Sequence, residues 1–278
     1  MTVMSKMSMR VKSRHCPLLR NLILFYIIMN SKRKVTAGVA VFLFLFSSCK
    51  SYQPAYDVNQ FYSEYDDKVR FVTYDDYIEL KPENDNAELF ADTGIIFYPG
   101  ALVEHHSYIP LLALCAEKGI TCYIVEMPMD FALFDKMAGE KFLKKNPDIK
   151  HWYMAGHSLG GAMAGSFISR HKNDFEGLIL LAAYSTHDIS SSSLEVLSIF
   201  GSNDEVLNQN KYQKNKKNLP PVGKGLTEII IDGGNHAQFA NYGAQEGDGK
   251  AEISAEDQQK KTAAEIISWI SRKSEGAN

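Results

Sequence analysis

The stretch Gly156-His157-Ser158-Leu159-Gly160-Gly161 constrains the fold more than any other part of this chain. It follows an apolar run, residues 151–155, and precedes a small-residue run of helical character, residues 162–170. A buried strand that passes into a helix through so short a link must turn sharply. Glycine at 156 and 160 leaves room that a Cβ would fill. The serine at the apex is then held out of the sheet, at a helix N-terminus where developing negative charge is favoured. This is the Gly-x-Ser-x-Gly nucleophile elbow in its strand–turn–helix setting.

The rest of the chain supplies the sheet that such a turn needs. Apolar runs at residues 93–98, 121–125, 178–182, 194–200 and 226–231 read as buried strands. Residues 69–73 and 77–80, joined by Tyr74-Asp75-Asp76, read as an antiparallel hairpin. Helical spacing falls at 107–118, 131–145, 162–172 and 262–271, with Gly119 and Asn146-Pro147 as stops. Strands alternating with helices predict a mostly parallel sheet covered on both faces. Residues 209–225, rich in Lys, Asn and Gly, read as a surface loop.

Four motifs sit on this frame: Tyr98-Pro99-Gly100-Ala101-Leu102-Val103, the elbow running on into Ala162-Met163, Phe200-Gly201-Ser202-Asn203-Asp204, and Gly233-Gly234-Asn235-His236. Together they resemble the α/β-hydrolases, from about residue 68 to the end. More narrowly the chain is similar to the compact fold-5 branch related to dienelactone hydrolases. The resemblance implies an α/β-hydrolase fold: a mostly parallel twisted sheet, helices on both faces, no large cap domain. Dienelactone hydrolases use a cysteine nucleophile, and this chain has Ser158, so their substrate is not carried over.

In this fold the catalytic partners follow in the order Ser, Asp/Glu, His. Ser158 is the candidate nucleophile, Asp204 the candidate acid and His236 the candidate base, each in a loop after an expected strand. Open α/β sheets carry their sites at that edge. Asp188 and Asp232 are the rival acids. Asp232 is too near His236 in sequence to reach its ring easily, and Asp188 precedes the strand that usually delivers the acid. His157, beside the nucleophile but expected to point away, and His187, in a loop placed to line the pocket on one reading, are the rival histidines. An oxyanion hole needs two backbone N–H groups. One falls to Leu159, after the nucleophile, and the resemblance places the other at Ala101. Glu104-His105-His106 is adjacent to substrate on one reading and a solvated helix N-terminus on the preferred one. No cluster has convincing metal spacing, so neither metal nor cofactor is expected.

The N-terminal end has a different character. Residues 1–48 contain eight Lys/Arg and no Asp or Glu, with apolar runs at 18–29 and 35–46. The second run follows Lys32-Arg33-Lys34 and leads to Ser47-Ser48-Cys49, a signal-peptide pattern too short for a comfortable membrane span. It resembles a bacterial lipobox, with Cys49 as the lipidated residue. Met29 offers a conventional start, which makes residues 1–28 a candidate start-site artefact. The expected organisation is signal peptide 1–48, lipid-attached tether 49–67, and hydrolase domain 68–278.

Removing residues 1–48 leaves 22 Lys/Arg (30 less 8) against all 33 Asp/Glu, a formal charge of −11. Such a surface argues against nucleic acid and anionic lipid as partners. Membrane attachment is then expected through lipid at Cys49, in the cell envelope, with a monomer as the expected state. Cys115 and Cys122, both in apolar runs, read as buried small hydrophobes rather than a disulfide.

The expected function is a serine hydrolase of small acyl esters. About a dozen residues separate the strands at 178–182 and 194–200, where larger relatives insert a cap, so an open site is expected. Two alternatives stay open: the same triad on an amide or sugar-acetyl bond, and an envelope lipoprotein that keeps the fold for ligand binding.

Overall fold

The computed structural model describes residues 51–83 and 90–276. The expected signal peptide and Cys49 lie outside the described residues.

Eight strands form one sheet: β1 (Val69–Thr73), β2 (Tyr77–Pro82), β3 (Thr93–Tyr98), β4 (Thr121–Val125), β5 (His151–His157), β6 (Gly177–Leu181), β7 (Glu195–Gly201) and β8 (Leu226–Ile231). Their order across the sheet is β1-β2-β4-β3-β5-β6-β7-β8. The β1–β2 and β2–β4 pairs are antiparallel, and every pair from β4 to β8 is parallel. The hairpin expected at 69–80 is therefore the antiparallel edge. The parallel strands all end at one rim.

Alternation along the strands explains why both faces are covered. Ile95, Phe97, Ile179 and Leu181 enter one core with helices α2 (Ile109–Ala116) and α6 (Ala255–Gly276). Ile96, Tyr98, Leu178 and Leu180 enter the other, with α3 (Glu140–Lys145) and α4 (Leu159–Ile168). A strand apolar at every position is what a sheet buried on both sides requires. Among the described residues no separate domain is inserted between β6 and β7.

Four segments differ from the sequence reading. The helix expected over 131–145 forms only as α3. Upstream, the phenol of Tyr98 takes the Gly139 N–H at 2.9 Å and donates to the Lys136 carbonyl at 3.0 Å. Those backbone groups bond to a side chain in place of a helical ladder. The loop expected over 209–225 contains α5 (Gln209–Asn215), capped by Asn208, whose Oδ1 accepts the Lys211 N–H. Its buried Tyr212 bonds Ser198 and Glu228. Residues 51–67, expected as a tether, carry α1 (Val58–Tyr65), capped by Asp57, with Phe61 and Tyr62 packed on Phe71. Finally, α6 begins well before residue 262, because Ser254 and Asp257 form a reciprocal cap. No helix among the described residues is long and apolar enough to cross a membrane.

Candidate active site

Strain marks the rim where the parallel strands end. Among the described residues five non-glycines have positive φ: Leu102, Met129, Asp130, Ser158 and Ala182. Each follows one of the strands β3 to β6. Such conformations cost about 1 kcal/mol or more each, and they cluster where function over-determines the backbone.

Ser158 sits at φ 53°, ψ −122°, between the end of β5 and the start of α4. Its N–H donates to the Leu181 carbonyl at 2.9 Å, and its carbonyl accepts from Ala162 at 3.2 Å. The flanking glycines are obligatory. A Cβ on Gly160 would lie 2.2 Å from the carbonyl oxygens of Tyr98 and Pro99, and one on Gly156 would lie 2.6 Å from the Gly160 carbonyl carbon. The loop after β3 therefore packs directly on the first turn of α4. In that loop the N–H of Gly100, Leu102 and Val103 donate to Tyr108, Asp130 and Gly100 respectively. The N–H of Ala101 has no acceptor among the described residues. Leu159, as the first residue of α4, has no helical acceptor for its own N–H.

Asp204 follows β7 and His236 follows β8. The imidazole Nδ1 lies 3.0 Å from Asp204 Oδ2 and 3.2 Å from Oδ1. Both side chains are buried. A carboxylate only accepts, so Nδ1 carries the proton and Nε2 is left as a base. Asp204 Oδ1 also takes the N–H of Val206 and Leu207, at 2.9 and 2.8 Å, which fixes the carboxylate. His236 and Ser158 line one cavity of about 260 Å³. Leu159, Ala162, Ala182, Tyr184, Val206 and Leu207 contribute to its wall.

The rival residues go elsewhere. The Asp188 carboxylate is exposed and accepts from Ser190 N–H and Oγ. Asp232 is exposed. His187 packs near Ser166 Oγ at 3.4 Å, and it does not line the cavity. His157 is buried behind the elbow, and its bonds define a relay. Its Nε2 lies 3.1 Å from the His236 carbonyl, which only accepts, so Nε2 is protonated. Burial, and secondarily the His236 charge, push the His157 pKa well below its ordinary value, so Nδ1 is an acceptor. Tyr108 Oη, 2.8 Å away, must then donate to Nδ1, while accepting the Gly100 N–H at 2.9 Å. One chain of hydrogen bonds thus ties the loop after β3, the elbow and the backbone of His236.

Glu104 caps the short turn His105–Tyr108 by accepting the His106 N–H at 2.9 Å. Nδ1 of His105 and of His106 lie 3.0 and 2.6 Å from its Oε1. Burial alone would raise the Glu104 pKa, but these bonds outweigh it and hold the carboxyl at about 2. Ligand atoms of the three residues come within 4.8 Å of one another, closer than the sequence spacing suggested. Their mutual hydrogen bonds account for that geometry as a capped turn. Cys115 and Cys122 are free and buried. Burial pushes the Cys115 thiol up to about 12 and the Cys122 thiol upward too, leaving neither reactive.

Sequence reading missed two supports of the histidine loop. Asp248 Oδ1 accepts the His236 N–H at 3.2 Å and Oδ2 the Ala237 N–H at 2.8 Å. Asn235 N–H donates to Gln258 Oε1 at 2.9 Å, and Gln258 Nε2 returns a bond to the Asn235 carbonyl at 2.8 Å. The only local signal for Asp248 is its glycine flanks, Gly247 and Gly249.

No curated protein matches the sequence. Among solved structures the chain is similar to a predicted CIB-like hydrolase from Thermoplasma acidophilum, at 15% identity and a TM-score of 0.50, covering 72% of this chain and 97% of that one. It is also similar to Est1E from Butyrivibrio proteoclasticus, at 16% identity and a TM-score of 0.51, covering 73% and 99%. The ferulic acid-bound form of Est1E gives 14% identity and a TM-score of 0.50, covering 72% and 99%. At such identities these likenesses speak to the fold. The sequence itself matches the alpha/beta hydrolase family over residues 94–260, more than half of its length. With the parallel sheet and the elbow in place, the chain belongs to the alpha/beta hydrolase family.

Proposed function

We propose that this chain is a serine hydrolase of carboxylic (acyl) esters, in the compact branch of the family. The observation that carries the reading is the buried Asp204–His236 pair, whose imidazole lines the same cavity as a serine at positive φ. Ser158 Oγ attacks the ester carbonyl as His236 Nε2 removes its proton. The tetrahedral oxyanion is met by the N–H groups of Leu159 and Ala101, which have no competing acceptor. His236 then gives its proton to the departing alkoxide, and the alcohol leaves. Water repeats the sequence on the acyl-enzyme: His236 takes its proton, the Ser158 ester bond breaks, and the free acid departs. Asp204 holds the imidazole in the Nδ1–H tautomer and stabilises its cation. No step calls for a metal or an organic cofactor.

Labelling of the intact protein with a serine-reactive fluorophosphonate tests this. Labelling lost in Ser158→Ala and in His236→Ala is expected. A wild-type protein that resists the probe refutes the hydrolase and leaves the fold as a ligand-binding one. The proposal extends to lipid attachment at Cys49 in the cell envelope, supported by the sequence from Lys32 to Cys49. Incorporation of labelled fatty acid that vanishes in Cys49→Ala checks it.

A further inference from the structure

The cavity beside Ser158 has a lopsided polar lining. Apart from Ser158 and His236, three side chains with polar atoms line it: Tyr184, Asn208 and Lys211. Lys211 forms no ion pair among the described residues, and no Asp or Glu lines the cavity. This is unexpected in a sequence whose residues from 49 onward carry a formal charge of −11.

The hydrogen bonds around the cavity sharpen the asymmetry. Asn208 Oδ1 is engaged as the cap of α5, accepting the Lys211 N–H at 2.9 Å. That bond fixes the amide so that its acceptor is occupied and its Nδ2–H₂ group is left over. The Tyr184 hydroxyl, the Asn208 Nδ2 and the Lys211 Nζ have no partner among the described residues. Two of these three groups can only donate, and the third donates readily. The cap also orders the turn that carries Lys211. The remaining wall, including Ala182, Ala183, Val206 and Leu207, is apolar.

We infer that the cavity selects esters bearing a carboxylate a short distance from the scissile bond. An anionic, acceptor-only group is the partner that matches a set of unspent donors with one cation. Asn208 and Lys211 stand exposed at the cavity mouth, so a neutral alkyl chain of the same length gains nothing from the Lys211 cation, whereas a carboxylate gains a charge-assisted bond. The cavity of about 260 Å³ matches a spacer of a few carbons or one ring between the scissile bond and Lys211. The inference rests on the serine-hydrolase reading for the position of the scissile bond, and it adds the class of substrate.

The test uses the intact protein and paired esters. Mono-4-nitrophenyl glutarate is compared with 4-nitrophenyl pentanoate, and 4-acetoxybenzoate with its methyl ester, so that the charge lies on the acyl or the leaving side. The charged member of at least one pair is expected to show about tenfold higher kcat/KM, mainly through KM. Lys211→Met should abolish the preference and Lys211→Glu should invert it, with fluorophosphonate labelling of Ser158 in each variant as the control for a folded site. Glutarate binding to Ser158→Ala, followed by calorimetry, gives a readout that needs no turnover, and it should weaken with salt and vanish in the double variant Ser158→Ala/Lys211→Met. No charge preference in either pair, or one that survives Lys211→Met, overturns the inference while labelling leaves the hydrolase intact. Failure of wild-type labelling overturns the hydrolase, and absence of glutarate binding then removes the carboxylate site as well.

Discussion

The hydroxyl of Tyr108 donates to His157 Nδ1 across 2.8 Å, and both side chains are buried. The direction of that bond follows from the carbonyl of His236 at the other end of the ring. Tyr108 also accepts the Gly100 N–H. A single phenol therefore holds the loop bearing Ala101 against the elbow bearing Ser158. Removing the oxygen in Tyr108→Phe leaves two buried groups without partners, at a cost of about 1–3 kcal/mol. Denaturant titration should show that loss. Turnover should fall further than KM rises, because the displaced Ala101 N–H matters most when the oxyanion forms.

His157 makes stability depend on pH. Burial lowers its folded pKa below the ordinary 6.5. The unfolded chain therefore takes up a proton that the folded chain refuses. Its contribution is complete above pH 6.5 and is lost as pH falls below it, by about 1.4 kcal/mol per pH unit until the folded value is reached. Comparing denaturation at pH 5 and pH 7 measures the slope. His157→Gln, which retains a donor and an acceptor, should remove one proton's worth of it.

Ser158 holds a backbone conformation that costs stability. Its φ of 53° is one that an L-residue adopts at a cost and glycine adopts freely. Ser158→Gly should be more stable than Ser158→Ala by about 1 kcal/mol, a rise of about 2–4 °C in Tm. Both should be inactive. Equal melting temperatures would show that the elbow is unstrained.

The two acids near His236 should separate cleanly. Asp204→Asn retains an oxygen for the Val206 and Leu207 amides, so its melting temperature should barely move. Its turnover should drop by about 10⁴, because the amide favours the wrong imidazole tautomer. Asp248→Ala strips the acceptor from the His236 and Ala237 amides. It should lose about 1–3 kcal/mol of stability together with part of the activity. Melting curves and steady-state rates on the same samples distinguish them.

The sheet was legible because its parallel strands are continuous apolar runs, which only burial on both faces rationalises. Residues 93–98, 121–125 and 226–231 match their strands end for end. Ser158, Asp204 and His236 were legible as candidates because each closely follows such a run. Helix α5 was not, since its one buried side chain, Tyr212, is hidden among lysines and asparagines. The region 131–139 failed for the opposite reason: its apolar spacing suits a helix, but Tyr98, far away in sequence, captures its backbone groups. The Tyr108–His157 bond spans 49 positions, and Asp248 acts through backbone amides. Neither leaves a periodic trace. Lys211 leaves none either, since its place on the cavity wall depends on the turn that joins β7 to α5.

The reciprocal bond between Asn235 and Gln258 ties the histidine loop to α6. A ribosome-bound chain that has emerged only as far as residue 254 already contains serine, aspartate and histidine. It lacks the glutamine that grips the peptide next to the imidazole, and the helix that shields one face of the sheet. The histidine loop therefore gains this grip only once the nascent polypeptide has delivered α6, and a premature stop in this region leaves the candidate residues without that support.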